Sequence, residues 1–393
     1  MKTSFLILLV GAIACQADYD PRSYVDRKCG QDLGNLWLDI VAVVDNSHGM
    51  TDDGLGDVAA TLCTIVSSGT RIGTNYTDAR STRLALVTYN SQASTNADLN
   101  KFQNLDDVYN NVYPALSSVA KTDNSFLANG LAMAEQVFDD GEVGNFRANY
   151  KKAVIVFASS YQKSGDFDPV HVAERMKSSG IKIITVAYDR GDGALLKELG
   201  NIASPRYNFT NKEDGLLENI QQALLEINCF CPNDWVQYRT SFTDISSAPF
   251  GICVQPITIA ANWRAAQMNC RNRKEGNAYL VTEFNQAKHD FVLQAVRNAS
   301  GSAQPYIYHI GLNMISGQWI WDQPATWPQP ALQNWTGWAP NYPVASSSMS
   351  AVQNVQSGYQ TVWQNTGLYT SGNKYVCETY TCDTDKYCVA QLD

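Results

Sequence analysis

The sequence has no uninterrupted apolar run of about twenty residues, the length a spanning helix needs, so no transmembrane anchor is expected. Clustered positive charge is also missing. The longest basic group is Arg271-Asn-Arg-Lys274 and the net charge is -9, which disfavours nucleic acid or an anionic membrane as partners. Histidine is scarce: His48, His171, His289 and His309 are scattered. Neither G-x-S-x-G nor H-E-x-x-H occurs, so no enzymatic activity is expected. No Gly-rich phosphate-binding fingerprint follows the first apolar strand, which argues against a nucleotide. Finally, no Gly/Ser linker divides the chain, which implies halves held close together.

What is present begins with Met1-Lys2, the apolar stretch Phe5 to Ile13 and the small-residue site Cys15-Gln16-Ala17. Residues 1–17 read as a secretory signal peptide, and the mature protein as secreted. Glycosylation acceptors at Asn75, Asn208, Asn298 and Asn334 suit that compartment. Nine cysteines remain once Cys15 is removed, which implies disulfides with one thiol left over. Only Cys29 and Cys63 precede residue 228; Cys229, Cys231, Cys253, Cys270, Cys377, Cys382 and Cys388 follow. The chain changes character near Asn228.

After an N-terminal segment (18–35), residues 36–228 alternate between strand and helix patterns. Strands are expected at Leu36–Val44, Thr82–Tyr89, Lys152–Ala158 and Ile181–Tyr188. Helices are expected at Gly54–Ser67, Leu105–Val119, Phe126–Phe138, Pro169–Ser178, Ala194–Leu199 and Gly215–Ile227. Such alternation predicts an α/β doubly wound parallel sheet covered on both faces. Leu36–Met50 (LWLDIVAVVDNSHGM) is its central strand, with Asp45 at the carboxyl end where such sheets place ligands.

Asp45-x-Ser47, LALVTYN, SFLANGLAMA, KAVIVFASS and IKIITVAYDRGDGALLKELG, in that order, resemble a von Willebrand factor A-type domain. The resemblance implies a divalent-metal site of the Asp-x-Ser-x-Ser kind, completed by a Thr and a second Asp. Asp45 and Ser47 match and Ser125 stands at the Thr position. Gly49 replaces the second serine and Ser159 the second acid. Asp52, Asp53 and Asp123 are nearby acids. The expectation is a degenerate site (Asp45, Ser47, Ser125) with room for a weak divalent cation, Mg²⁺ or Ca²⁺, at most. The competing reading is that Asp45 and Ser47 tie down a strand-to-helix turn.

From Cys231 onward, CPNDWVQY, FGICVQP, NWRAAQMNC, YIYHIGLN, GQWIWDQ, QNWTGWAPNYP, TVWQN and YVCETYTC resemble an α+β C-type lectin-like domain over residues 229–382, followed by a tail at 383–393. The resemblance implies the bridges Cys270–Cys377 and Cys231–Cys253, with the family's other inner bridge lost at both positions. Cys29 is assigned to Cys229 and Cys382 to Cys388, leaving Cys63 as a buried thiol, although connectivity does not follow from sequence. The family's Ca²⁺-dependent sugar site corresponds to Ala339-Pro340-Asn341 and Trp363-Gln364-Asn365, which lack its acids. Ligand-binding candidates are Asn341, Gln364, Asn365 and Trp338. Trp319, Trp321, Trp335 and Trp363 are expected in the core, while Trp327 and Trp338 are candidates for exposure.

The combination is similar to a nematode family of secreted lectin-like proteins associated with carbohydrate binding and innate defence. It implies glycans, glycoproteins or extracellular proteins as partners, bound largely without conventional Ca²⁺. The alternative is a protein–protein adhesion or matrix component acting through the A-type domain.

Overall fold

The computed structural model describes residues 25–389 except 68, 143, 163–164, 166–167, 189–192, 274–276 and 325. The expected signal peptide, with Cys15, and residues 390–393 of the tail lie outside the described residues.

The first half runs β1 (Leu38–Asp45), α1 (Asp52–Ile65), β2 (Arg83–Tyr89), β3 (Ala93–Ala97), α2 (Leu105–Ala115), α3 (Leu127–Asp140), β4 (Lys151–Ala158), α4 (Pro169–Ser178), β5 (Lys182–Ala187), α5 (Ala194–Leu199), β6 (Asn208–Thr210) and α6 (Leu216–Ile227). Its sheet has the order β3-β2-β1-β4-β5-β6, parallel except for the antiparallel edge strand β3. Every residue of β1 is buried. Successive side chains of a strand face opposite ways. Ile40, Ala42 and Val44 therefore pack under α1, α2 and α6, and Val41 and Val43 under α3, α4 and α5. Each such Val or Ile taken from water contributes about 1.5–3 kcal/mol.

Two elements differ from expectation. β3 (ASTNA) is polar and mostly exposed, so it carries no apolar signal, and β6 is only three residues long. Helix ends follow local chemistry. Thr51 caps α1 by accepting from the Gly54 amide, with Asp52 and Asp53 in the first turn, where the helix dipole favours anions. Asp168 and Pro169 open α4 in the same manner. Helix α2 stops at Ala115, short of the expected Val119, with Pro114 in its last turn and the Leu116 amide closing it on Val112 O.

The second half comprises β7 (Val236–Arg239), β8 (Pro249–Ala261), α7 (Trp263–Arg271), β9 (Tyr279–Leu280), α8 (Gln286–Asn298), β10 (Ile307–Ile315), β11 (Gln318–Trp321), β12 (Ala351–Ser357), β13 (Gln360–Thr366) and β14 (Asn373–Tyr380). The sheet order is β13-β12-β10-β14-β8-β7, with β11 on β10 and β9 on β14. Disulfides join Cys231 to Cys253 and Cys270 to Cys377 within this half. Cys63 is a free, buried thiol on α1, and burial pushes its pKa up to about 11, which keeps it unreactive.

The two chain ends meet at the junction of the halves. Cys29 bridges to Cys229, and Cys382 to Cys388. Trp37, fully buried, donates its indole N–H to the Asp383 carbonyl at 2.9 Å and packs against Tyr150, Phe230 and Tyr387. The buried Asp383 carboxylate accepts from both Arg27 Nη atoms (2.6 and 3.1 Å), the Gly30 amide (3.1 Å), the Thr381 hydroxyl (2.9 Å) and the Asp385 and Lys386 amides (3.0 and 3.1 Å). The described parts of the expected N-terminal segment (25–35) and C-terminal tail (383–389) are thus built into the junction.

Removing one partner of a buried, hydrogen-bonded ion pair costs about 3–5 kcal/mol. Asp383→Ala should accordingly lower the urea midpoint of the disulfide-intact protein by an amount corresponding to that loss; an unchanged midpoint would show that the clasp contributes nothing.

Candidate functional site

The first candidate site lies at the carboxyl end of β1. Asp45 is fully buried, and donors surround it. Its Oδ1 accepts from the Ser47 amide at 2.9 Å. Its Oδ2 accepts from the Ser125 hydroxyl at 2.9 Å, the Ser159 hydroxyl at 2.6 Å and the Ser159 amide at 3.1 Å. Backbone bonds close the surrounding loops: Asn46 N–H to Tyr89 O, His48 N–H to Thr122 O and Ala120 N–H to Asn46 O. The predicted residues Asp45, Ser47 and Ser125 therefore do converge, joined by Ser159.

Their chemistry does not fit a divalent cation. A hard dication wants several anionic or strongly polar oxygens, and the sole carboxylate here has both oxygens engaged by protein donors. Ser159 also crowds Gly49: a Cβ added there would lie 2.9 Å from its hydroxyl, so the second serine of the motif is not accommodated without a shift. The nearby acids do not compensate. Asp52 accepts from the Val119 amide at 2.8 Å in a loop tie, and Asp53 and Asp123 are exposed. Among the described residues no group of three His, Cys, Asp or Glu side chains is placed to hold a metal. In the structure, the expected degenerate site is a hydrogen-bonded strand-to-helix turn in which serine donors and amides occupy both Asp45 oxygens.

The second candidate region is the long loop between β11 and β12 with the adjoining β13. No Asp or Glu stands between Asp322 and Glu378. Trp338, expected to be exposed, is half-buried: it lies edge-on to Trp363 (5.6 Å) and tilted against Trp319 (5.2 Å). The backbone on either side of it pairs with Trp363, through Trp363 N–H to Gly337 O (2.7 Å) and Ala339 N–H to Trp363 O (2.9 Å). Such close approach requires Gly337, where a Cβ would stand 3.1 Å from the Trp363 indole nitrogen. Trp327 is likewise half-buried, against Tyr380.

Asn365 is not a ligand group either. Its amide donates to Val344 O and Met349 O at 2.8 and 2.9 Å and accepts from the Val344 amide at 2.8 Å, so both N–H groups and one oxygen lone pair fasten the loop. Gln364 is half-buried on β13. Asn341 is exposed, with φ +65°. The exposed aromatic that sequence reasoning missed is Tyr369, 70% accessible, on the turn after β13. Gly367 of the same turn packs toward Ser348 O of the long loop. The cue was the run Gly367 to Gly372, a turn signature that displays whatever lies inside it.

Beneath this surface runs a buried polar network. Glu283 accepts from the Trp363 indole (2.7 Å), Asn354 (2.9 Å) and His289 Nδ1 (2.7 Å), while His289 Nε2 faces Thr361 O at 3.0 Å. Trp321, with its indole on Gln333, and Trp363 form the core here as expected; Trp319 and Trp335 pack on it half-buried.

Of the glycosylation acceptors, Asn75, Asn298 and Asn334 are exposed. Asn208 is half-buried. Its Nδ2 donates to Leu196 O at 2.9 Å and its Oδ1 accepts from Thr185 at 2.7 Å, so the amide serves to fasten the sheet edge.

Together these features give the architecture of a von Willebrand factor A-type α/β domain followed by an α+β, C-type lectin-like fold. Residues 39–223 match the von Willebrand factor type A domain. The chain is 27% identical over 376 residues to C-type lectin domain-containing protein 160 of Caenorhabditis elegans, covering 92% of this chain and 56% of that protein. It thus spans a little over half of that relative's length. Among solved structures, it is similar to proximal thread matrix protein 1 of the mussel byssus with a zinc-occupied MIDAS motif (23% identity, 50% of this chain and 48% of that one, TM-score 0.40). It is also similar to the C-type lectin domain of murine dendritic cell inhibitory receptor 2 in complex with N-glycan (21% identity, 38% and 99%, TM-score 0.29).

Two predictions follow from these sites. Ser159→Asp sets a second carboxylate against Asp45, so in chelator its melting temperature should fall by several degrees, and millimolar Mg²⁺ should restore it. The wild-type melting temperature should stay within about 1 °C between chelator and Mg²⁺; a rise of several degrees would establish a working cation site.

The other concerns His289. Burial pulls its pKa down, but the Glu283 carboxylate and the hydrogen bonds to Glu283 and Thr361 outweigh this and push it up to about 9. A folded pKa above the unfolded value of about 6.5 stabilises fully below that value and is lost as pH rises through 9. Urea midpoints should therefore decline from pH 6.5 to 9 more steeply in wild type than in His289→Gln; equal slopes would refute the pairing.

Proposed function

We propose that this chain is a secreted recognition protein that binds glycans or glycoproteins through the loop surface of its C-type lectin-like domain. Asn341, Gln364 and Tyr369 supply the contacts, and Ca²⁺ supplies none. The observation that carries this reading is the absence of any acid between Asp322 and Glu378 in a loop that is nonetheless held rigid by Asn365 and Trp338. A preorganised surface with an exposed amide and phenol can stack on a sugar ring and hydrogen-bond its hydroxyls without a cation. The relative's lectin designation and the neighbour solved with an N-glycan support the ligand class. The reaction is binding alone, with no bond made or broken, and a role in innate defence is one use such recognition would serve.

Adhesion to an extracellular protein through the A-type domain is the second reading. It is favoured by Tyr109 and Tyr113, which stack at 6.4 Å on the exposed side of α2. Exposed tyrosine pairs are characteristic anchors of protein interfaces.

A glycan array separates the readings. Binding should persist in chelator and fall at least tenfold in Tyr369→Ala, about 1.4 kcal/mol or more. Loss of binding in chelator would overturn the cation-free reading. No glycan binding, with a protein partner recovered by crosslinking and lost in Tyr109→Ala/Tyr113→Ala, would favour adhesion.

A further inference from the structure

The junction between the two domains encloses a pocket of about 360 Å³. One wall is the amino-terminal end of β4, with Asn149 and Lys151; the other is formed by Phe230, Asn233, Lys386 and Tyr387. The pocket lies at the opposite end of the parallel sheet from Asp45 and shares no residue with the long-loop surface. Its volume is within the range of small-ligand sites.

Its charge sets it apart. Two lysines line it and no Asp or Glu does, in a chain whose net charge is -9. The Lys151 ammonium lies 4.2 Å from the centre of the Phe230 ring. Burial and the nearby Lys182 both pull its pKa down, and no acid acts to raise it. A cation–π contact contributes about 0.5–2 kcal/mol and does not replace a counter-ion. Even partial withdrawal of an ammonium from water is costly and favours an anionic partner. The buried cations Lys288, Arg83 and Arg147 have one: Lys288 pairs with Asp26 and Glu378, and both arginines with Asp39. Lys151, half-buried, has no carboxylate partner among the described residues, and it lines a cavity.

The remaining polar groups suit a hydroxylated ligand. Asn149 donates one amide N–H to Cys388 O, which orients its side chain, and Asn233 is exposed at the rim. The walls are fixed. The Cys382–Cys388 bridge, the Phe230–Cys382 backbone pair and the Asp383 clasp hold the tail in place, so little ordering is required on binding.

We propose that this pocket binds a singly charged oxyanion carried on a sugar ring, a carboxylate or a sulfate ester. The anion rests on Lys151 and the ring hydroxyls meet the amides of Asn149 and Asn233. Lysine acts as a point charge and accepts either anion, so the two sources are separated by experiment.

Titration calorimetry on the full chain with glucuronate, galactose 6-sulfate, glucose and galactose provides the test. At least one anionic sugar should bind at least tenfold tighter than its neutral counterpart and weaken as NaCl is raised; whichever binds tighter names the anion. Lys151→Met keeps the stem against Phe230 while removing the charge, and should lose at least tenfold in affinity with its urea midpoint retained. Should that variant fail to fold, Lys151→Gln serves the same purpose. Equal binding of neutral and anionic sugars, no binding of either anion at millimolar concentration, or wild-type affinity in a folded lysine variant would overturn the proposal. The loop-surface reading is untouched by any of these results.

Discussion

One buried carboxylate, that of Asp383, organises the meeting of the two domains. It gathers the Arg27 guanidinium and Gly30 amide from the start of the described chain, and Thr381, Asp385 and Lys386 from its end. A carboxylate without solvent is stable only when its lone pairs are filled, and here they are filled by residues from both termini. The other junction contacts are built around it: Trp37 rests on the Asp383 carbonyl, and two disulfides close on either side. The pocket with Lys151 exists because this clasp brings the tail against β4.

Away from the junction, both domains keep their folds while lacking the acids that metal chemistry would need. At Asp45, serine hydroxyls and amides supply the positive partial charge that a cation would otherwise supply. In the second domain, Asn365 bonds the loop directly to its own backbone. Each is a neutral solution to a problem of local charge. Under the proposed function, recognition at such surfaces rests on shape, hydrogen bonds and aromatic contact.

Much of the fold was legible in the sequence because apolar periodicity reports burial directly. β1, β2, β4 and β5 are near-continuous apolar runs, and α3, α4, α5 and α6 carry one-sided stripes. β3 escaped because an edge strand has little to bury, and β6 because three residues carry no period. The candidate site was legible as a set of residues but not in its chemistry. Asp45, Ser47 and Ser125 were found by motif, whereas the part played by Ser159 depended on where its hydroxyl points. The burial of Trp338 and Asn365 was not legible for the same reason: an indole or an amide can face solvent or tie the fold together, and its residue type does not say which.

The sequence alone determined the alternation of strands and helices, the change of character near Asn228 and the supply of cysteines, since these depend on composition and local pattern. Tertiary structure decided which polar groups satisfy one another. Arg27 meets Asp383 across 356 positions, and Asp45 meets Ser159 across 114. Hydrogen bonding and ion pairing act over a few ångströms of space, so separations of that length leave no mark on local pattern. Lys151 is the converse case: nothing in its neighbourhood along the chain marks it, and only the folded junction leaves its charge without a carboxylate partner among the described residues.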